Sequence, residues 1–188
     1  MTRATHPVPL IIGRAFQILF SLVVLGITIS LIQGHKSGPI PSALAFAVII
    51  GAVSLVGGIL NLASSFLEFL HDQLTLIIDG VVLLSNATGG IWIAMKMKGV
   101  QCKFDLKYTG LQEWDMGTND IVCGGKIKVI EENQVECYYY QEDDATMLNR
   151  RCREGTAVAA FMFLTAVTMI GIAAVAFRRM RNPYGARG

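Results

Sequence analysis

Apolar residues are gathered along the chain into four long runs, separated by polar or charged stretches. The runs cover residues 10–32, 43–66, 74–95 and 155–177. A helix needs about 20 predominantly apolar residues to cross a bilayer core of about 30 Å, and each run has that length. The pattern therefore predicts four membrane-spanning helices within a single domain, residues 1–188.

The composition supports a membrane protein. Of the 188 residues, 53% are hydrophobic and only 16% are charged, which is more apolar than an ordinary soluble domain. A signal peptide is the alternative for the first run, but the run is longer than a signal core of about 7–15 residues and lacks a clear small-residue cleavage site. The expected fold class is an all-α membrane protein, a four-transmembrane-helix bundle.

The charged residues are concentrated between the third and fourth runs. Residues 96–154 hold nine of the 16 basic residues, eleven of the 14 acidic residues and all four cysteines. The segment "KIKVIEENQVEC" alternates apolar and polar residues on both sides of a polar centre, which predicts a β-hairpin. The tyrosine run that follows, Tyr138 to Tyr140, more readily packs against a small sheet than binds a ligand. We therefore expect a small folded loop rather than a linker.

The cysteines indicate which side of the membrane this loop occupies. Basic residues flank the helices at both ends, so the positive-inside rule does not decide the orientation. An even set of cysteines confined to one polar loop is typical of disulfides in an oxidising compartment. We therefore expect an extracellular loop between the third and fourth helices, and cytoplasmic tails at residues 1–9 and 178–188.

Four cysteines permit three disulfide pairings, and a zinc site is a competing use for them. Zinc is disfavoured because no CxxC pair occurs and all three histidines lie outside the loop. The favoured pairing joins Cys102 to Cys152, since these residues lie just beyond the ends of two helices that must emerge close together. This pairing leaves Cys123 with Cys137.

Two ionisable residues interrupt the apolar runs. Arg14 lies early in the first run and Asp79 early in the third, so both are at a similar depth from the cytoplasmic edge. A charge left alone within a membrane costs about 2.5–3.5 kcal/mol or more, and such residues usually pair inside the bundle. We expect an Arg14–Asp79 ion pair hydrogen-bonded by Gln17 or Asn61. The alternative is that Arg14 reaches the headgroups by itself and Asp79 merely lies near the membrane edge.

Asn86 belongs to the same polar face. Asn86-Ala87-Thr88 has the form of a glycosylation site, but it lies in the middle of the third run, where the glycosylation machinery does not reach. Asn86 follows Asp79 by about two helical turns, so both side chains face the same way. The expected intramembrane polar cluster consists of Arg14, Gln17, Asn61, Asp79 and Asn86.

Small residues recur within the second and third runs at the spacing of about one helical turn. In lipid, such stripes let helix backbones approach closely. They serve either packing within the bundle, which is the commoner use, or a face for self-association. The residues are Ala47, Gly51, Ser54, Gly58, Ser85 and Gly89.

A basic cluster follows the fourth run. Arg178, Arg179 and Arg181 would attract anionic lipid headgroups, at about 1 kcal/mol for each basic residue near the surface. The alternative is that they act only as the charges expected beyond a last helix. The sequence offers equal support for both interpretations.

Several stretches together resemble a known family. They are "GRAFQILFSLVVLGITISLIQG" in the first helix, Asp79 early in the third, "MKGVQC" after it, and "RRCREGTAVAAFMF" before and within the fourth. These are similar to the fungal MARVEL tetraspan proteins, nearest to the branch of non-classical export protein 2. Asp79 matches an acidic residue of the family, Cys102 a cysteine beyond the third helix, and Arg151-Cys152-Arg153 a basic-flanked cysteine. The chain departs from the branch in its longer loop, which adds Cys123, Cys137 and the tyrosines.

The resemblance implies a non-catalytic function. Proteins of this kind organise plasma-membrane microdomains, in fungi the furrow-like compartments associated with eisosomes, and respond to sphingolipid or sterol. The implied partners are membrane lipids, further copies of the chain or other microdomain proteins, with no cofactor and no nucleic acid. The alternative is an accessory or transport subunit that uses the Arg14/Asp79 polar cluster. An enzyme is disfavoured because the sequence shows no nucleophile elbow, no His–carboxylate cluster and no phosphate-binding loop.

Overall fold

The computed structural model describes residues 8–64, 72–102, 119–129, 134–141 and 145–181. In chain order, its elements are two long helices, a third long helix, a two-stranded hairpin, one short helical turn and a final long helix. They are α1 (Val8–Gln33), α2 (Ser42–Ser64), α3 (Asp72–Lys96), β1 (Lys126–Val129), β2 (Gln134–Cys137), α4 (Tyr138–Gln141) and α5 (Ala145–Arg181). The four long helices are each long and apolar enough to cross a membrane, which confirms the predicted fold class.

The long helices form an up-and-down bundle. Gly51 of α2 lies against Leu25 of α1, and Gly58 lies against Ile18, so these two helices run in opposite directions. Similar contacts place α5 against both α1 and α3, and α2 against α3, which closes the ring in the order α1, α2, α3, α5. The start of α1 and the end of α5 therefore share one end of the bundle, here called the tail end. The opposite end, which carries the disulfides, is the loop end.

Large apolar side chains cover the outside of the bundle. Ile49, Leu84 and Val167 are 60%, 70% and 64% exposed, whereas Gln17, Ser54 and Thr165 are completely buried. A soluble protein buries its large aliphatic residues and exposes its polar ones. This reversed arrangement fits a bundle whose surroundings are lipid, because lipid accepts apolar side chains and the interior satisfies the polar ones.

The last helix starts earlier than predicted. It begins at Ala145, before the apolar run predicted from Gly155, because hydropathy alone does not detect an amphipathic extension. Leu148, Arg151 and Cys152 are buried and recur at helical spacing, whereas Arg150 is exposed. This extension packs its buried face against the loop. The predicted end of the second helix, Phe66, lies outside the described residues.

The loop end is held by two disulfides. Cys102 is bonded to Cys152, and Cys123 to Cys137, which confirms the favoured pairing. The first bond joins the chain just after α3 to the extension of α5. The second lies at the base of the hairpin, where β1 and β2 pair antiparallel with Lys126 opposite Cys137. The predicted hairpin is therefore present, with one disulfide closing its base and the other joining the start of the loop to α5.

Most of the predicted small residues lie where helices approach each other. A Cβ added at Gly51 would lie 2.9 Å from Leu25 Cγ, one at Gly58 2.9 Å from Ile18 Cγ1, and one at Gly89 2.5 Å from Ile50 Cδ1. Ala47 and Ser54 are also buried. Ser85 is half-buried, and its hydroxyl donates to the Val82 carbonyl of its own helix at 3.1 Å. This geometry favours packing within the bundle over a self-association face.

Replacing glycine with alanine should lower stability where the glycine is tightly packed and should not lower it where the glycine faces open space. Gly51→Ala places a methyl group against Leu25 and Val24, and we expect overpacking to lower the free energy of unfolding by about 1–3 kcal/mol. Gly26, in α1, would have no atom within 4 Å of an added Cβ. Gly26→Ala should therefore be neutral or stabilising, because alanine favours the helix. Thermal unfolding in one detergent would compare the variants, and equal losses would contradict the packing.

Candidate functional site: a buried polar network and a loop-end arginine

An ion pair lies inside the bundle near its tail end. Arg14 Nη1 and Nη2 donate to Asp79 Oδ1 and Oδ2, each at 2.5 Å, so the contact is bidentate. The two side chains are only 7% and 16% exposed. Asn61 Nδ2 donates to the same Asp79 Oδ1 at 2.7 Å. Three helices, α1, α2 and α3, thus meet at one carboxylate.

Further polar side chains extend this contact toward the middle of the bundle. Arg14 Nη1 also donates to Gln17 Oε1 at 3.0 Å, and Gln17 Nε2 donates to the Ser54 carbonyl at 3.2 Å. Ser54 in turn accepts at its hydroxyl from Asn86 Nδ2 at 2.6 Å. The structure therefore brings together all five residues of the expected intramembrane cluster. We call Arg14, Gln17, Ser54, Asn61, Asp79 and Asn86 the polar network.

The polar network orients α3 within the bundle. Asp79 and Asn86 both face α2, where they contact Asn61 and Ser54. Rotating α3 would break both of these interhelical contacts at once. That loss is unfavourable, because unpaired polar groups are costly in lipid. Asn86, which carries the letters of a glycosylation site, is 2% exposed and bonded within the bundle. The Asn86 side-chain amide therefore joins α3 to α2 inside the bundle.

Apolar side chains close the core between the polar network and the loop end. Val24, Ile50 and Met162 come from α1, α2 and α5, and each is at most 2% exposed. Gly89 lies against both Ile50 and Met162, so the four helices are in close contact at this level. In the part of the core that the structure describes, no hydrogen-bonded chain crosses this layer. The polar network thus ends inside the bundle.

A second buried cation lies at the loop end. Arg151 is 3% exposed, and its guanidinium donates to three backbone carbonyls rather than to a carboxylate. Nε donates to Val122, Nη1 to Leu31 and Nη2 to Ile121, each at 3.0 Å. The planar fork of an arginine can satisfy several acceptors in this way. One side chain therefore joins α5 to the end of α1 and to the loop.

Tyr139 completes this junction. Its hydroxyl donates to the Gly34 carbonyl at 2.7 Å, and its ring lies under the Arg151 guanidinium, with 5.5 Å between the ring centroid and Cζ. A cation over an aromatic face contributes about 0.5–2 kcal/mol, with the larger values at desolvated sites. The middle tyrosine of the run is therefore a packing residue of the loop end, as the sequence favoured. It packs against the helices and not only against the hairpin.

Sequence reasoning missed the role of Arg151. Its position beside Cys152 marked it as a charge flanking a membrane helix, and its neighbours Arg150 and Arg153 are indeed exposed. The signal that separates it from them is helical spacing, since Leu148, Cys152 and Gly155 lie on the same face. The basic tail residues Arg178, Arg179 and Arg181 continue α5, but their side chains lie outside the described set.

The chemistry of these two clusters is structural. Each arginine donates three hydrogen bonds to oxygen acceptors, and Asp79 accepts from both Arg14 and Asn61. Among the described residues, no group of three or more His, Cys, Asp or Glu side chains could hold a metal ion. The arrangement can fix helix orientation and hold a loop, and it contains no free nucleophile beside a base.

The helices and the loop between them match a known protein family. The family model described as MARVEL, membrane-associating domain, matches residues 7–175. No curated protein matches the chain, and no solved structure does. The match spans α1, α2, α3, the disulfide-bonded loop and α5 as far as residue 175. This multi-pass membrane protein therefore belongs to the MARVEL family of membrane-associating domains.

Proposed function

We propose that the protein is a non-catalytic organiser of plasma-membrane microdomains, of the furrow type associated with eisosomes in fungi. In this proposal it belongs to the fungal branch of non-classical export protein 2 and associates with sphingolipid or sterol. The observation that carries the proposal is the family match across the whole bundle, since this family is associated with membrane apposition and microdomains. Its partners in this proposal are membrane lipids, together with other copies of the same chain or other microdomain proteins.

The geometry of the bundle supports a scaffold. Its apolar outer surface offers lipid a continuous contact, while the polar network and the disulfides keep that surface in a fixed shape. A rigid bundle presents the same surface to every neighbouring lipid, which is what a local organiser requires. The proposed orientation places the loop end outside the cell and the tail end in the cytoplasm, where the basic tail would contact anionic headgroups.

A transport subunit is the second candidate, favoured by the polar network inside the membrane. Intramembrane ionisable residues commonly mark transport paths. The apolar layer formed by Val24, Ile50 and Met162 counts against a continuous path in this conformation. A conformational change would be needed to open that layer, and the described helices show no break of the kind seen in many transporters.

Asp79→Asn separates these two functions. The substitution removes the charge but keeps an oxygen that can accept from Arg14 and Asn61, so most of the bundle contacts remain. For a scaffold, we expect a fluorescent fusion of the variant to keep the patched distribution of the parent in the plasma membrane. Purified parent and variant in liposomes should both fail to carry protons, as measured with an internal pH-sensitive dye.

The proposal has two ways to fail in this experiment. A uniform distribution of the parent fusion would contradict a role in microdomains. A proton flux by the parent that Asp79→Asn abolishes, with localisation unchanged, would instead establish the transport function. Val167→Ala, on the outer surface of α5, is the matched control for handling and reconstitution.

A further inference from the structure

A cavity of about 330 Å³ lies at the loop end, between two segments that come from distant parts of the chain. One wall is the connection from α1 to α2, with His35, Pro41 and Ser42. The other wall is the segment that leads into β1, with Asp120 and Cys123. The cavity therefore marks a seam where the connection between the first two helices meets the disulfide-bonded loop.

His35 is the unusual group in this seam. Both of its ring nitrogens are buried, and neither has a partner within ordinary hydrogen-bond distance and angle, although the carbonyls of Ser37, Gly38 and Pro39 lie close enough to attract a proton on the ring. A neutral imidazole carries one donor and one acceptor, and leaving a buried polar group without a good partner is unfavourable. The closed seam therefore holds His35 in an environment that opposes its charged form more strongly than its neutral form.

The groups around His35 shift its pKa in opposite directions. Burial is the main cause that lowers the pKa of His35 below its ordinary value of 6.5, and the nearby Arg151 cation adds to it. The carbonyls of Ser37, Gly38 and Pro39 favour the protonated ring but do not outweigh these two causes. Asp120 lines the same cavity, Tyr139 donates to the neighbouring Gly34 carbonyl, and Lys36 is exposed next to His35.

The backbone beside His35 is locked to the opposite wall. The Lys36 N–H donates to the Gly124 carbonyl at 2.7 Å, and Ser37 forms a parallel bridge with Gly125. Gly125 has a φ of 131°, and a Cβ at this position would overlap the backbone of Ser37. The two walls are in direct contact at this point. A movement that exposes His35 to water must therefore disrupt these backbone contacts.

We propose that His35 is an acid-sensitive latch, whose protonation opens the seam between the α1–α2 connection and residues 121–125. In the open state water reaches the imidazole, so the pKa of His35 returns to its ordinary value. Because the closed seam disfavours the charged ring, protons stabilise the open state. The closed state keeps its full stability above pH 6.5, and loses it as the pH falls from 6.5 through the lower pKa of the closed seam.

Hydrogen exchange of the full-length protein in lipid nanodiscs tests the latch. Peptides containing residues 34–37 and 121–125 should lose protection between pH 7.5 and 5.0, after correction for the intrinsic exchange rate. The expected loss is about tenfold for each unit by which the closed-state pKa lies below its ordinary value. His35→Gln, which cannot be protonated, should keep the same protection at both pH values. His6→Gln, the matched control, should respond to acid like the parent.

Equal acid responses of the parent and His35→Gln would overturn the proposal. A direct titration avoids dependence on that variant, should it fold poorly. The chain has three histidines, so NMR spectra of the parent with labelled histidine can be assigned with His6→Gln and His71→Gln. We expect the His35 midpoint below 6.5, and a midpoint at or above that value would equally overturn the latch.

Discussion

Arg151→Ala should be among the most damaging single substitutions in the chain. It leaves the carbonyls of Leu31, Ile121 and Val122 buried without their donor, and it removes the cation above Tyr139. Hydrogen bonds from charged groups contribute about 1.5–3 kcal/mol each, although their losses are not additive. We expect the free energy of unfolding to fall by about 3–5 kcal/mol, measured by denaturation with SDS in mixed micelles.

The neighbouring arginine provides the control for this prediction. Arg150 is exposed and makes a surface ion pair with Glu154 at 2.7 Å, so Arg150→Ala should change stability little. Arg151→Lys should behave like Arg151→Ala rather than like the parent, since an ammonium group cannot reproduce the arginine fork. If Arg150→Ala and Arg151→Ala were equally harmful, the loss would come from net charge and not from the buried contacts.

The second large effect is expected at the Arg14–Asp79 pair. Asp79→Ala leaves the Arg14 guanidinium buried without its carboxylate, and we expect a loss of about 3–5 kcal/mol. Arg14→Ala combined with Asp79→Ala removes both charges and should recover much of that loss. The measurement is again SDS denaturation, with Asp79→Ala, Arg14→Ala and the double variant compared as a cycle.

Additive losses in that cycle would contradict an energetic pairing of the two residues. Val81→Ala, on the exposed face of the same helix, is the matched control for a shortened side chain on α3. A full loss in Asp79→Ala with a nearly normal double variant would show that the unpaired charge, rather than the missing contact, causes the damage. Asp79→Asn should then be intermediate, because it keeps an acceptor without a charge.

The bundle could be predicted because lipid imposes a simple rule on sequence. Each spanning helix must be about 20 apolar residues long, so the four runs were visible, and a charge within them had few options besides a partner. Arg14 and Asp79 could therefore be matched by depth alone. The cysteines were similarly constrained, because Cys102 and Cys152 flank helices that lie side by side in the bundle.

The loop end could not be predicted in the same way. Arg151 bonds to backbone carbonyls, and every residue has a backbone carbonyl, so no residue type marks its partners. The contact between Ser37 and Gly125 likewise depends on a backbone conformation with positive φ at Gly125. Hydropathy also placed the start of the last helix at Gly155 rather than Ala145, since the extension before Gly155 is amphipathic. These contacts arise from tertiary geometry, which periodicity does not encode.

The two buried arginines also set an order of events during synthesis of the chain. Arg14 meets Asp79 across 65 residues, so their contact becomes available once the third helix has entered the membrane. Arg151 donates to the Leu31 carbonyl across 120 residues, so this contact becomes available only once α5 has been made. A nascent chain that stops before α5 therefore leaves the Leu31 carbonyl without this donor. Closure of the loop end therefore requires α5, however early the first three helices have entered the membrane.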